Sequence, residues 1–136
     1  MAFADAQSGG LILNSAVPIQ ITLAGACVKG DLLGYSGGWQ KALAEVGGVI
    51  QAKCVAGMDG QVGEKIVAYF GKVLLGGRLS GMTPAVALYT DEGTAVGKYT
   101  DIAPSDQNDA TKIIGIAVSA TVAIIDCNMN ADTLHA

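Results

Sequence analysis

Ile19-Gln20-Ile21-Thr22-Leu23 alternates apolar and polar side chains, the period-two signature of a strand with one buried face and one wet face. Working outward, similar short runs occupy residues 28–35, 39–43, 49–56, 64–70, 72–75, 86–90, 95–99, 112–118 and 121–126. Turn-forming breaks separate them: Ser36-Gly37-Gly38, Gly57-Met58-Asp59-Gly60 and Asp91-Glu92-Gly93. Asp-Gly marks turns well, because both residues tolerate the backbone angles that tight turns need. Val86-Ala87-Leu88-Tyr89-Thr90 is expected to pair with Ala95-Val96-Gly97-Lys98-Tyr99 across the last of these. In Ile66-Val67-Ala68-Tyr69-Phe70 both faces are apolar, which predicts a central strand covered on both sides. Short strands with turns every few residues, and 19 glycines to make them, predict an all-β barrel or sandwich. One region reads two ways. Residues 39–46 could form a short helix with Trp39, Leu43 and Val46 on one face, ended by Gly47-Gly48.

The chain of 136 residues fits one domain. Residues 1–18 read as an extended N-terminal arm, 19–127 as the β domain and 128–136 as a polar tail. The arm is rich in Ala, Gly, Ser, Asp and Asn, yet it carries Phe3, Leu11, Ile12 and Leu13. A solvated tail seldom holds four large apolar groups, so these residues are candidate contacts with another protein. Composition agrees. Hydrophobic residues make up 51% and charged residues 15%, well under the roughly 25% charge of a typical soluble domain. Part of the surface is therefore expected to be apolar, which marks association.

Several functions lack their raw materials. A net charge of −4 with eight scattered basic residues offers no patch for nucleic acid. No apolar run approaches the roughly 18 residues of a membrane helix, and no basic region followed by an apolar stretch marks a secretory signal. Synthesis and folding in a cytoplasm are expected. His135, the one histidine, is penultimate, and Cys27, Cys54 and Cys127 lie far apart. No catalytic residues, cofactor or metal ligands are expected from this set; the thiols read as small buried hydrophobes. The turn carboxylates Asp59, Asp91, Glu92, Asp106 and Asp109 read as turn caps. Trp39, Tyr35, Tyr69, Tyr89 and Tyr99 could line a carbohydrate-binding face, which is the alternative to a protein-binding role.

The order of the turns and strands is itself informative. Gly30-Asp31-Leu32 precedes Trp39-Gln40-Lys41-Ala42. Val62-Gly63-Glu64-Lys65-Ile66-Val67-Ala68 leads to Gly71-Lys72-Val73. Ala87-Leu88-Tyr89-Thr90, Asp91-Glu92-Gly93, a polar loop and Ile113-Ile114-Gly115-Ile116-Ala117-Val118 follow. From residue 26 to residue 126 this order resembles the capsid-decoration (head cement) proteins of tailed bacteriophages. The resemblance implies a small β-barrel or β-tulip that binds the major capsid protein on the exterior of an assembled head and stabilises it. It also implies a homotrimer, residence in the virion and no catalytic residues. Phe3 and Leu11 to Leu13 would then be capsid contacts, extending or filling a neighbouring sheet.

Overall fold

The computed structural model of the chain describes residues 3–7, 11–14 (backbone alone), 17–44, 48–91, 97–105, 109–128 and 130–134. Among them are thirteen strands and no helix. These are β1 (Ala4–Asp5), β2 (Leu11–Asn14), β3 (Val17–Thr22), β4 (Leu32–Tyr35), β5 (Trp39–Lys41), β6 (Cys54–Ala56) and β7 (Lys65–Phe70). They continue with β8 (Val73–Gly76), β9 (Leu79–Ser80), β10 (Ala87–Thr90), β11 (Tyr99–Thr100), β12 (Ile113–Ala117) and β13 (Val122–Ile125). One sheet has the order β3-β7-β6-β4-β5, a second β11-β10-β12-β13-β8-β2, and β1 pairs with β9 alone. All named pairings are antiparallel.

Trp39 resolves the ambiguous region in favour of strand. It lies opposite Tyr35, with Leu33 opposite Lys41, and the β4–β5 ladder leaves no helical turn at residues 39–41. Beyond β3, Leu23 bridges Trp39 and the Ala24 N–H donates to the Trp39 carbonyl at 2.8 Å. The two edges of the five-stranded sheet therefore meet there, and the sheet curls around its own core. The strand at Ile66 does have a neighbour on each side, β3 and β6. The partner of β10 starts later than the sequence pattern suggests, at Tyr99, and Glu92 and Gly93 of the expected turn lie outside the described residues.

The N-terminal segment differs most from expectation. Read in order, Ala4 faces Ser80, Leu11 faces Gly76, Val17 faces Phe70 and Thr22 faces Lys65. The described parts of residues 4–22 thus run antiparallel along 65–80 as one ribbon crossing from sheet to sheet. Gly71 bends the inner strand of that ribbon at φ 91°, a left-handed angle that costs any other residue. Phe3 is 5% exposed and belongs to the main core. Phe3, expected as a contact with another protein, instead packs inside the chain's own core.

Two core clusters explain the layers. The first joins Leu32 and Val55 to Val73, Leu75, Leu88, Tyr99, Ile114 and Ile125, between the two large sheets. The second fills the curl of the five-stranded sheet with Ile21, Leu23, Leu33, Cys54, Ile66 and Ala68. Leu32 and Leu33 are successive strand residues and so point to opposite faces, yet both are fully buried. Each contributes roughly 1.5–3 kcal/mol by leaving water.

Candidate functional site

Three charged side chains with almost no exposed surface form a buried knot. Arg78 donates from Nε to Asp5 Oδ1 and from Nη1 to Asp31 Oδ1, both at 2.8 Å, and from Nη2 to the Gly97 carbonyl at 3.3 Å. Asp5 Oδ2 accepts the Tyr99 N–H at 3.0 Å, Asp31 Oδ2 accepts the Val28 N–H at 2.9 Å, and Lys41 stands 4.0 Å from Asp31. The Arg78 guanidinium also lies 5.3 Å from the centre of the Tyr99 ring. Burial pushes the Asp31 carboxyl up, against the pull of the Val28 N–H and Arg78. Burial alone would lower the Arg78 pKa, but Tyr99 and Asp5 raise it on balance, so the cation persists. Each of these groups is engaged with another part of the chain.

A second knot holds Asp132 and its neighbours Thr133 and Leu134. Lys112, almost wholly buried, donates to the Ala52 carbonyl and to Asp132 Oδ1, each at 2.7 Å. Lys53 reaches the other Asp132 oxygen at 2.6 Å. Slight burial works to raise the Asp132 carboxyl, but these lysines hold it below its ordinary value. Ala110 bridges Leu134, and the Thr111 N–H donates to the Thr133 carbonyl. The polar tail is thus laid along the domain by side chains that precede it by some twenty to eighty residues.

Cys27, Cys54 and Cys127 are free and buried. Burial pushes the thiols up, Cys27 to about 11, Cys127 to about 12 and Cys54 further still. Such thiols stay protonated and poorly nucleophilic. Among the described residues no three His, Cys, Asp or Glu side chains gather as a metal-binding group; His135 lies outside those residues. The aromatic residues do not form one face. Tyr99 is buried with its hydroxyl on the Gly30 carbonyl, and Tyr89 stands on the other sheet from Tyr35, Trp39 and Tyr69. Trp39 packs edge-to-face with Tyr35 and Phe70, at 5.4 and 5.7 Å between centroids.

The exterior is more informative. Across the outer face of the six-stranded sheet, Ala87, Ile116, Ile124 and Leu74 stand directly opposite one another on four adjacent strands. Directly opposed residues share a face. Val122 precedes Ile124 by two positions and joins the row, and Val118 follows Ile116 by two and donates its N–H to the Val122 carbonyl. Ile116 is 42%, Val118 51% and Ile124 39% exposed. Their strand neighbours Ala117, Ala123 and Ile125 point the other way and are buried, so this sheet is apolar on both sides. A shallow cleft beside Leu74 and Ile124 is flanked by Lys72.

No protein-family model, curated protein or solved structure matches the chain. Leu11, Ile12 and Leu13 lie on β2, the edge strand of this same sheet, next to β8; their side chains lie outside what the structure describes. Phe3 is elsewhere, in the core. Sequence reasoning missed the Ile116–Ile124–Leu74 row. Its signal was present, since Ile113-Ile114-Gly115-Ile116-Ala117-Val118 and Val122-Ala123-Ile124-Ile125 show no polar alternation.

Proposed function

We propose that the protein is a structural protein that binds the exterior of an assembled phage capsid and stabilises it, contacting the major capsid protein and further copies of itself. The single observation that supports this most is the apolar row on the outer face of the six-stranded sheet, where Ile116, Val118 and Ile124 are exposed beside half-buried Leu74 with no covering layer among the described residues. An antiparallel sheet with one free face ordinarily alternates polar residues outward. Departure from that rule on the scale of several adjacent strands fits a surface that another protein covers. A shell presents the same site many times, so a modest individual contact suffices for firm attachment once copies are linked. The order of turns and strands from residue 26 to residue 126 resembles head cement proteins, and a homotrimer on the virion surface is the assembly that this resemblance implies.

Co-sedimentation tests the reading. The purified protein, mixed with expanded DNA-free heads of the phage that encodes it, is expected to pellet with them saturably and in fixed proportion to the capsid subunit. Protein that stays in the supernatant at saturating concentration contradicts decoration. Selective binding on a glycan array under the same conditions would favour the carbohydrate-binding alternative.

A further inference from the structure

The segment at Phe3, Ala4 and Asp5 occupies a socket whose walls come from distant parts of the chain. Phe3 enters the main core. Asp5 takes Arg78 Nε on one carboxylate oxygen and the Tyr99 N–H on the other. Ala4 and Asp5 pair with Ser80 and Leu79, and the Ala6 N–H donates to the Arg78 carbonyl. Without the segment, the remaining walls would offer an apolar hole, a free strand edge at Leu79–Ser80, and two cations, Arg78 and Lys41, against the one carboxylate of Asp31. That combination is complementary to an extended peptide carrying an aromatic residue and, two positions later, a carboxylate.

We propose that the socket is an exchangeable strand-binding site for such a Phe-x-Asp segment, and that in assemblies the segment comes from a second copy of this chain. Two observations support exchange. The ribbon is out of step here: Asp5 and Leu11 are six positions apart, but their partners Leu79 and Gly76 are only three apart. The connection also carries Gln7 at φ 57°, a left-handed conformation that a residue with a β-carbon adopts reluctantly. A strained link beside a self-contained binding element favours trading that element between identical chains, because the contacts made are the same from either source. The site is separate from the outer sheet face, so its test needs no capsid.

Two full-length variants and two peptides test it. Asp5→Asn weakens the segment but leaves the socket; Arg78→Met spoils the socket but leaves the segment. Mixing them is expected to give a species of twice 13.7 kDa by light scattering that neither forms alone. Because Arg78→Met endangers folding, a synthetic peptide of residues 1–7 is added separately to the full-length Asp5→Asn variant. It is expected to raise the thermal midpoint saturably by several degrees, and the same peptide carrying the Asp5→Asn change is expected to bind at least about tenfold more weakly. No shift at about 1 mM peptide, a concentration that reveals even weak sites, overturns the proposal. So does a mixture of two folded variants that stays at 13.7 kDa.

Discussion

Replacing Arg78 with methionine is expected to destabilise the fold by about 3–5 kcal/mol, the cost of leaving buried charge without its partner. Asp5 and Asp31 have side chains no more than 3% exposed, and Arg78 is the cation that touches both at 2.8 Å. Methionine fills much of the same volume but donates nothing. The two carboxylates are then left with the Tyr99 and Val28 N–H groups and with Lys41 at 4.0 Å. Lysine is a poor substitute because one ammonium cannot reproduce the planar fork that spans both acids. In urea denaturation the midpoint of Arg78→Met should fall steeply with an unchanged slope.

The pH dependence has a definite sign. Asp31 already titrates above its ordinary 3.8 in the folded protein, and loss of Arg78 moves it further up. Between the unfolded and folded values the native state holds the extra proton, so stability falls as pH rises through that window. The deficit of Arg78→Met relative to wild type is therefore largest at neutral pH and shrinks toward about pH 4, the ordinary carboxylate range. Adding Asp5→Asn and Asp31→Asn to Arg78→Met keeps the acceptor oxygens and removes the orphaned charge. That triple variant is expected to recover at least about half of the loss. A single variant as stable as wild type at neutral pH would show that the knot contributes nothing.

How far the sequence reveals this protein depends on the range of the interactions. Residues 19–22 and 65–70 were legible because their alternation and apolar runs are local consequences of strand geometry, whereas Val17 and Pro18, read as part of the arm, already belong to β3. The Trp39 region was not decided locally, since Trp39, Leu43 and Val46 suit a helical face as well as a strand; pairing with β4 decides it. Arg78 shows no local signal at all. It looks like one of eight scattered basic residues, and its partners lie 73 and 47 positions away. The same holds for Lys112, whose role depends on Asp132. The arm was misread for that reason: its polar composition cannot order it, but the ladder along residues 65–80 and the Asp5–Arg78 contact can. One practical consequence follows. Deleting residues 2–15 removes Phe3 and Asp5 from the core, so such a deletion reports on stability before it reports on binding.

The outer sheet face offers a cleaner test of function. Ile116→Lys combined with Ile124→Glu places opposite charges directly across the β12–β13 ladder, a favourable pair on an open sheet face. Both side chains are already substantially exposed, so folding stability is expected to change by less than about 1 kcal/mol. Binding is another matter. Covering two isoleucines that are already more than half buried contributes roughly 1–2 kcal/mol to a contact, and stripping water from a charged pair in their place costs on the order of several kcal/mol more. The double variant is expected to lose about a hundredfold or more in affinity for capsids, with a normal thermal midpoint as the control. Retained affinity would move the contact away from this face.

Hydroxyl-radical footprinting of free and capsid-bound protein reads side-chain exposure directly. If the open isoleucine row is what the shell covers, oxidation at Ile116, Val118 and Ile124 drops sharply on binding, while Val62, 68% exposed on a turn before β7, keeps its rate. Undiminished oxidation of those three residues on protein that has pelleted with capsids, with protection confined to Tyr35 and Ile19 on the other sheet, would contradict it.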